Sequence, residues 1–201
     1  MNRSRRVALL FAAAVTFGGL SACEPSQLGA AAIVEDQRIT VTEIQSYLDQ
    51  VREQREEFGL PTELDPDAAR VEVERRVLNL VFERAAQQMN LRITEADIEE
   101  TRSAESRSAD ELAELAAQNN VTVESLDEVY RRFTIERKIS EAIEQQFPNA
   151  GETQLNEEFA KRLIAVAESL RIKVNPRYGT FDPKVGQITV TSWDFLKAPK
   201  G

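Results

Sequence analysis

Between residues 69 and 89 apolar side chains recur at three- and four-residue spacing: Ala69, Val73, Val77, Leu80, Val81, Ala85 and Met89. That period aligns one face of an α-helix. Leu78 and Phe82 widen that stripe. A helix that apolar must be covered on most of its surface, so the chain is expected to build its core around it. Asp65-Pro66 is expected to open this helix, as a cap followed by a first-turn proline.

The flanking sequence is punctuated by helix starts and stops. Thr40 with Glu43 has capping-box spacing and begins a helix that should run to about Phe58. Phe58-Gly59-Leu60-Pro61 then ends it, since Gly suits the position just past a helix and Pro cannot continue one. Thr94 with Asp97, and Ser108 with Glu111, repeat the spacing and start two shorter helices. After the break at Asn119-Asn120, Thr122 reads as the cap of a long helical arm over about 122–147, carrying Leu126, Val129, Tyr130, Phe133, Ile139, Ala142 and Ile143. Its stripe suits packing in the core first and a partner helix second. A C-terminal helix over about 153–170 follows the break at Phe147-Pro148-Asn149-Ala150-Gly151.

Extended structure is expected only near the two ends. Residues 31–34 and 38–41 read as two short strands about a Glu35-Asp36-Gln37 turn, and residues 172–174 and 188–190 as two more flanking a turn-rich segment. The expected fold class is mostly α, with a few short β-strands formed by the N- and C-terminal segments.

The first 22 residues read differently from the rest. Arg3, Arg5 and Arg6 precede an apolar run from Val7 to Phe17, too short to span a bilayer, which loosens at Gly18-Gly19 into small residues before Cys23. Leu20-Ser21-Ala22-Cys23 resembles the bacterial lipobox. What that resemblance implies is a signal peptide over 1–22, cleavage before Cys23, lipidation of its sulfur and a lipidated tether over 23–30. Two or three acyl chains hold a protein durably on a membrane. The expected location is extracytoplasmic, lipid-anchored to the cell membrane.

Composition excludes several functions. Removing residues 1–22 takes away three arginines and no acids, leaving 22 basic against 34 acidic side chains, so nucleic acid is not an expected partner. The chain has no histidine and one cysteine. Ser/His/Asp and Cys/His nucleophile systems, His-based metal sites and intramolecular disulfides are all ruled out. The Asp and Glu residues are spread through helical patterns instead of gathering at loop ends, which suits solvated faces. No enzyme activity, no cofactor and no metal are expected.

The order of β turn, helix, apolar second helix, short Thr-capped helix and long helical arm is similar to the N-terminal domain of SurA-like periplasmic chaperones and PrsA-like foldases. Asn175-Pro176-Arg177-Tyr178-Gly179, placed after the C-terminal helix, resembles the segment with which many of these proteins return to that domain. The resemblance covers residues 31–201 and implies a helical chaperone domain of the SurA and trigger-factor kind. The parvulin-type isomerase domain of the family is missing, and residues 148–152 stand where it would be inserted. The resemblance therefore implies holding unfolded or partly folded exported polypeptides without prolyl isomerisation. A non-enzymatic adaptor docking one dedicated envelope partner is the alternative.

Read without the family, Pro176 fixes φ, Arg177 can fork onto a carboxylate and Gly179 allows a positive-φ turn. Tyr178 and Phe181 are expected to pack on the first strands, tying the two ends of the chain together. Phe58, Leu60 and Leu64 lie outside the helical stripes on a connection that a soluble chain can make polar, and are the candidate client contacts. Leu60 also suits the hydrophobic contact that accompanies a Gly-capped helix end. Trp193 and Phe195 suit either an anchored tail strand or partner binding.

Overall fold

Ala30–Val34 (β1) is buried along its whole length because it is a middle strand. Gln37–Thr40 (β2) pairs antiparallel on one side of it and Ile172–Val174 (β3) antiparallel on the other. The computed structural model describes residues 28–190. The expected signal peptide, lipidated Cys23, most of the tether, Trp193 and Phe195 lie outside them.

The turn between β1 and β2 is tighter than its sequence suggests. Gln37 already pairs with Val34, and Val41 already belongs to the following helix, so only Glu35 and Asp36 turn the chain. Glu35 takes φ 55° although it is neither Gly nor Asn. Its N–H donates to Arg171 O at 3.2 Å and its carboxylate pairs with Arg84. Tertiary partners on both groups offset the cost of the left-handed backbone.

Six α-helices fill the middle of the described chain: Val41–Glu57 (α1), Ala68–Gln88 (α2), Glu95–Ser103 (α3), Ala109–Gln118 (α4), Leu126–Gln146 (α5) and Glu152–Ser169 (α6). The three expected capping boxes form at α1, α3 and α4. At α1, Thr40 Oγ1 accepts from Glu43 N at 3.1 Å while Thr40 N donates to Glu43 Oε2 at 2.6 Å. The C-terminal ends are matched in the same local way. Gly59, Asn90 and Asn120 sit at φ 64°, 54° and 56°, and the next residue's N–H reaches back over the last turn: Leu60 to Arg55 O, Leu91 to Ala86 O and Val121 to Ala116 O.

Two helix starts differ from expectation. Asp65 does not cap α2: its Oδ1 accepts from Asp67 N at 2.8 Å and its carbonyl from Ala68 N at 2.9 Å, closing a turn just upstream of the helix. Thr122 does not cap α5. Its hydroxyl donates to Ser125 Oγ at 3.0 Å, and a 3-10 turn over Val123–Ser125 intervenes. The N–H that such a turn leaves over, that of Val123, is taken by Gln54 Oε1 at 2.8 Å.

α2 is the centre of the core, as its stripe requires. Val73, Val77, Val81, Phe82, Ala85 and Ala86 are buried, and the helix packs against α1, α5, α6 and β1. α5 is no free arm: Tyr130, Thr134, Ile135, Ile139 and Ile143 are buried where it lies against α2, α3 and α6. At the polar edge of α2, Glu72, only 3% exposed, accepts from Arg75 Nε at 2.7 Å and Arg76 Nε at 2.6 Å. Both guanidinium groups lie over the ring of Tyr47 on α1, at 5.2 and 5.7 Å.

The C-terminal part closes the fold through Asn175. Its N–H donates to Ala31 O at 2.9 Å and its Nδ2 to Ala30 O at 3.0 Å. Tyr178 is buried in the core, but Arg177 lies over the Tyr178 ring at 5.0 Å and forks onto no carboxylate among the described residues. Phe181 departs from its expected place on the first strands. It belongs to Thr180–Asp182 (β4), which pairs antiparallel with Gln187–Thr189 (β5), and it lines a cleft with Leu78, Phe82 and Phe159 between α2 and α6. The sequence had marked β5 and not β4, which is only three residues long inside a turn-rich segment.

Candidate functional site

A groove of about 480 Å³ opens along α2, α4 and the first half of α5. α2 contributes Val71 and Leu78, α4 contributes Leu112 and Leu115, and α5 contributes Leu126, Val129 and Phe133. Val71 is 52% exposed, Phe133 40% and Leu115 38%. Large side chains on three separate helices thus converge on one solvent-open apolar surface, which is the arrangement that marks an interaction site.

The end of the α4 wall and the connection after it are bonded to α1. Gln54, a buried amide on α1, donates from Nε2 to Val121 O at 3.0 Å and accepts the Val123 N–H. Tyr47 donates its hydroxyl to Asn120 O at 3.0 Å. Arg55 Nη1 reaches Ala117 O at 3.1 Å and Asn120 Oδ1 at 3.0 Å, while its Nε donates to Pro61 O at 2.6 Å. Three α1 side chains therefore fix the end of α4 and the 119–123 connection, leaving the apolar face of α4 turned toward α2 and α5.

The rim is polar and mixed. Arg75 and Glu74 stand on the α2 side, Arg132 on α5 and Glu105 beyond the end of α3. Arg132 lies over the Phe133 ring at 4.8 Å and over Phe82 at 5.8 Å, so it braces the aromatic that opens the groove. Arg75 is bonded to Glu72 and, at 3.3 Å, to Glu128. Burial disfavours its charge, but the Glu72 hydrogen bond and charge outweigh that and hold the guanidinium ionised more firmly than usual. The Oδ1 of Asn79, buried and without a hydrogen-bond partner among the described residues, is also on this lining.

The candidate contacts read from sequence fall elsewhere. Phe58 is 38% exposed at the end of α1, Leu60 is half-buried just past it, and Leu64 packs against the core. Leu60 takes the position that accompanies a Gly-terminated helix, with its N–H on Arg55 O at 2.8 Å. These three residues are not part of the groove lining. Asn175, Pro176, Arg177, Tyr178 and Gly179 form the closing turn described above, whose bonds are structural. The groove itself was missed, although Leu78, Leu126, Val129 and Phe133 stood in the recognised stripes. The usable signal was surplus: α2 and α5 carry more apolar positions than one buried face of each accommodates.

The chain has no histidine, and no group of three potential metal ligands occurs among the described residues. No helix among them is long and apolar enough to cross a membrane. No family model, no curated protein and no solved structure matches the chain.

Proposed function

We propose that this chain is a membrane-anchored extracytoplasmic lipoprotein that acts as an ATP-independent chaperone. It holds unfolded or partly folded exported polypeptides, without prolyl isomerase activity, on a helical scaffold resembling the N-terminal domain of SurA-like chaperones. The observation that carries this reading is the open apolar groove between α2, α4 and α5, with Val71, Leu115 and Phe133 exposed at its margins.

The physics suits holding and letting go. Each Leu- or Phe-sized client side chain inserted in the groove contributes about 1.5–3 kcal/mol. Association costs ~4–15 kcal/mol in lost freedom, so a handful of such side chains gives weak, reversible capture. The anchor at Cys23 would keep this surface close to where exported chains emerge.

The test is light scattering from an aggregating client that has no rate-limiting proline, with the mature protein added at increasing ratio. Suppression near stoichiometric ratios, lost in Phe133→Asp, supports the reading. No suppression at several-fold excess rejects it and favours the adaptor that docks one envelope partner. For the anchor, Cys23→Ser is expected to leave the protein unlipidated and released from membranes; retention of an acylated, membrane-bound protein would overturn the lipoprotein reading.

A further inference from the structure

The acidity of this chain is not evenly spread. Between Glu95 and Glu128 there are eleven acidic side chains and two arginines, Arg102 and Arg107, an excess equal to the formal net charge of −9 for the entire sequence. Outside that stretch acids and bases balance. The stretch comprises α3, α4, the 3-10 turn and the first residues of α5, and so supplies one wall and one end of the apolar groove.

The arginines near the groove are already engaged. Arg102 pairs with Asp127 and Glu99, Arg107 with Glu105, Arg75 with Glu72 and Glu128, and Arg132 with Glu136. By contrast Asp110, Glu114 and Glu124 are exposed and have no ion pair among the described residues. Leu115 lines the groove and also a shallow depression shared with Arg107, Glu111 and Glu114, so the apolar surface runs into a patch where two carboxylates face one guanidinium that is itself paired with Glu105. Asp127 and Glu128, with side chains 81% and 62% exposed, add to the field at the α5 end.

We propose that the groove selects polypeptide segments whose apolar side chains are flanked by lysine or arginine. The apolar residues fill the space between Leu78, Leu115 and Phe133, while the flanking cations lie along α4 and the start of α5. An acidic or neutral segment of the same apolar content gains the burial without the attraction. This rests on the groove being the client site, and it adds which clients are taken.

The test uses the full lipidated protein in nanodiscs of zwitterionic lipid, with empty nanodiscs as the control. The probes are three fluorescein-labelled peptides sharing one Leu- and Phe-rich centre, flanked by lysines, serines or glutamates. Fluorescence anisotropy is expected to show the lysine-flanked peptide bound about tenfold more tightly than the glutamate-flanked one at ~50 mM salt, the gap narrowing at ~500 mM. The double variant Glu114→Lys/Glu124→Lys, changed only at exposed positions, is expected to remove that preference while the serine-flanked peptide binds as before. Phe133→Asp is expected to weaken all three. Equal binding of the three peptides to the unaltered protein overturns the charge selection and leaves the groove as a client site. A lysine preference that survives Phe133→Asp unchanged overturns it too, by placing the basic peptide elsewhere. Failure of every peptide to bind takes away both the selection and the chaperone reading.

Discussion

Glu74 accepts the main-chain N–H of Ile188 at 2.6 Å, so a helix side chain bonds the outer edge of β5 where a neighbouring strand would otherwise pair. Arg70, one turn earlier on α2, donates to Ile188 O at 3.2 Å and completes the substitute pairing. An unprotected edge strand invites association with other chains, and here the edge is closed by two side chains of the central helix.

Replacing Glu74 with Ala should therefore do two things. It removes the acceptor of a part-buried N–H, which costs about 1–3 kcal/mol, and it opens the β5 edge. Urea denaturation should show the loss, with Glu74→Gln recovering most of it, and the Ile188 amide should exchange faster. Unchanged exchange at Ile188 would mean that β4 alone holds the strand.

Glu72 is the buried anion between Arg75 and Arg76, and removing one partner of a buried ion set leaves the others uncompensated. Glu72→Ala is expected to destabilise the fold by about 3–5 kcal/mol in urea denaturation. A loss below ~1 kcal/mol would show that solvent or a neighbouring acid replaces it.

Gly179 at φ 118° would place an added Cβ 2.3 Å from Thr189 O, a main-chain atom that cannot swing aside. Gly179→Ala should cost more than about 2 kcal/mol and melt the β4–β5 hairpin first. Gly59 at φ 64° has nothing within 4 Å of such a Cβ, so Gly59→Ala should cost only about 1 kcal/mol. Equal costs at the two positions would refute the steric account of Gly179.

The three capping-box acids share one pH signature. Asp97 is held well below the usual carboxylate range by Lys138 and then by Thr94, Glu43 is lowered by the hydroxyl and N–H of Thr40, and Glu111 by the N–H and hydroxyl of Ser108. A carboxyl lowered in the folded state binds its proton less readily there than in the unfolded chain. Its contribution is thus present above the unfolded value near 4 and fades as pH falls through the folded one. Circular dichroism at 222 nm should show helicity falling on acidification below pH ~4, with a shallower acid limb in Asp97→Asn, whose starting stability at neutral pH is lower. An identical acid limb in that variant would remove Asp97 from the transition.

How far the fold could be read depended on the range of the interactions involved. Thr40, Thr94 and Ser108 act on residues three positions away, and Gly59, Asn90 and Asn120 on the turn just behind them, so the helix ends were visible or nearly so in the sequence. Asp65 and Thr122 carried equally good local signals and lost to other partners: Asp65 to its own turn, Thr122 to a segment whose N–H was claimed by Gln54 across the molecule. The end of the groove's α4 wall is tied by that second kind of bond. Nothing local distinguishes Leu112 or Leu115 from ordinary core leucines. Leu115 is exposed and Leu112 half-buried on a helix whose end is bonded to Tyr47, Gln54 and Arg55 across the molecule.

The pairing of β1 with β3 also sets an order of events in synthesis. Residues 30–34 leave the ribosome among the first of the described chain, yet one whole edge of that apolar strand stays unmatched until residues 172–174 follow. At ~5–20 residues per second the wait is on the order of ten seconds. For that interval one edge of an apolar strand near the front of the newborn chain is open to pairing with other chains.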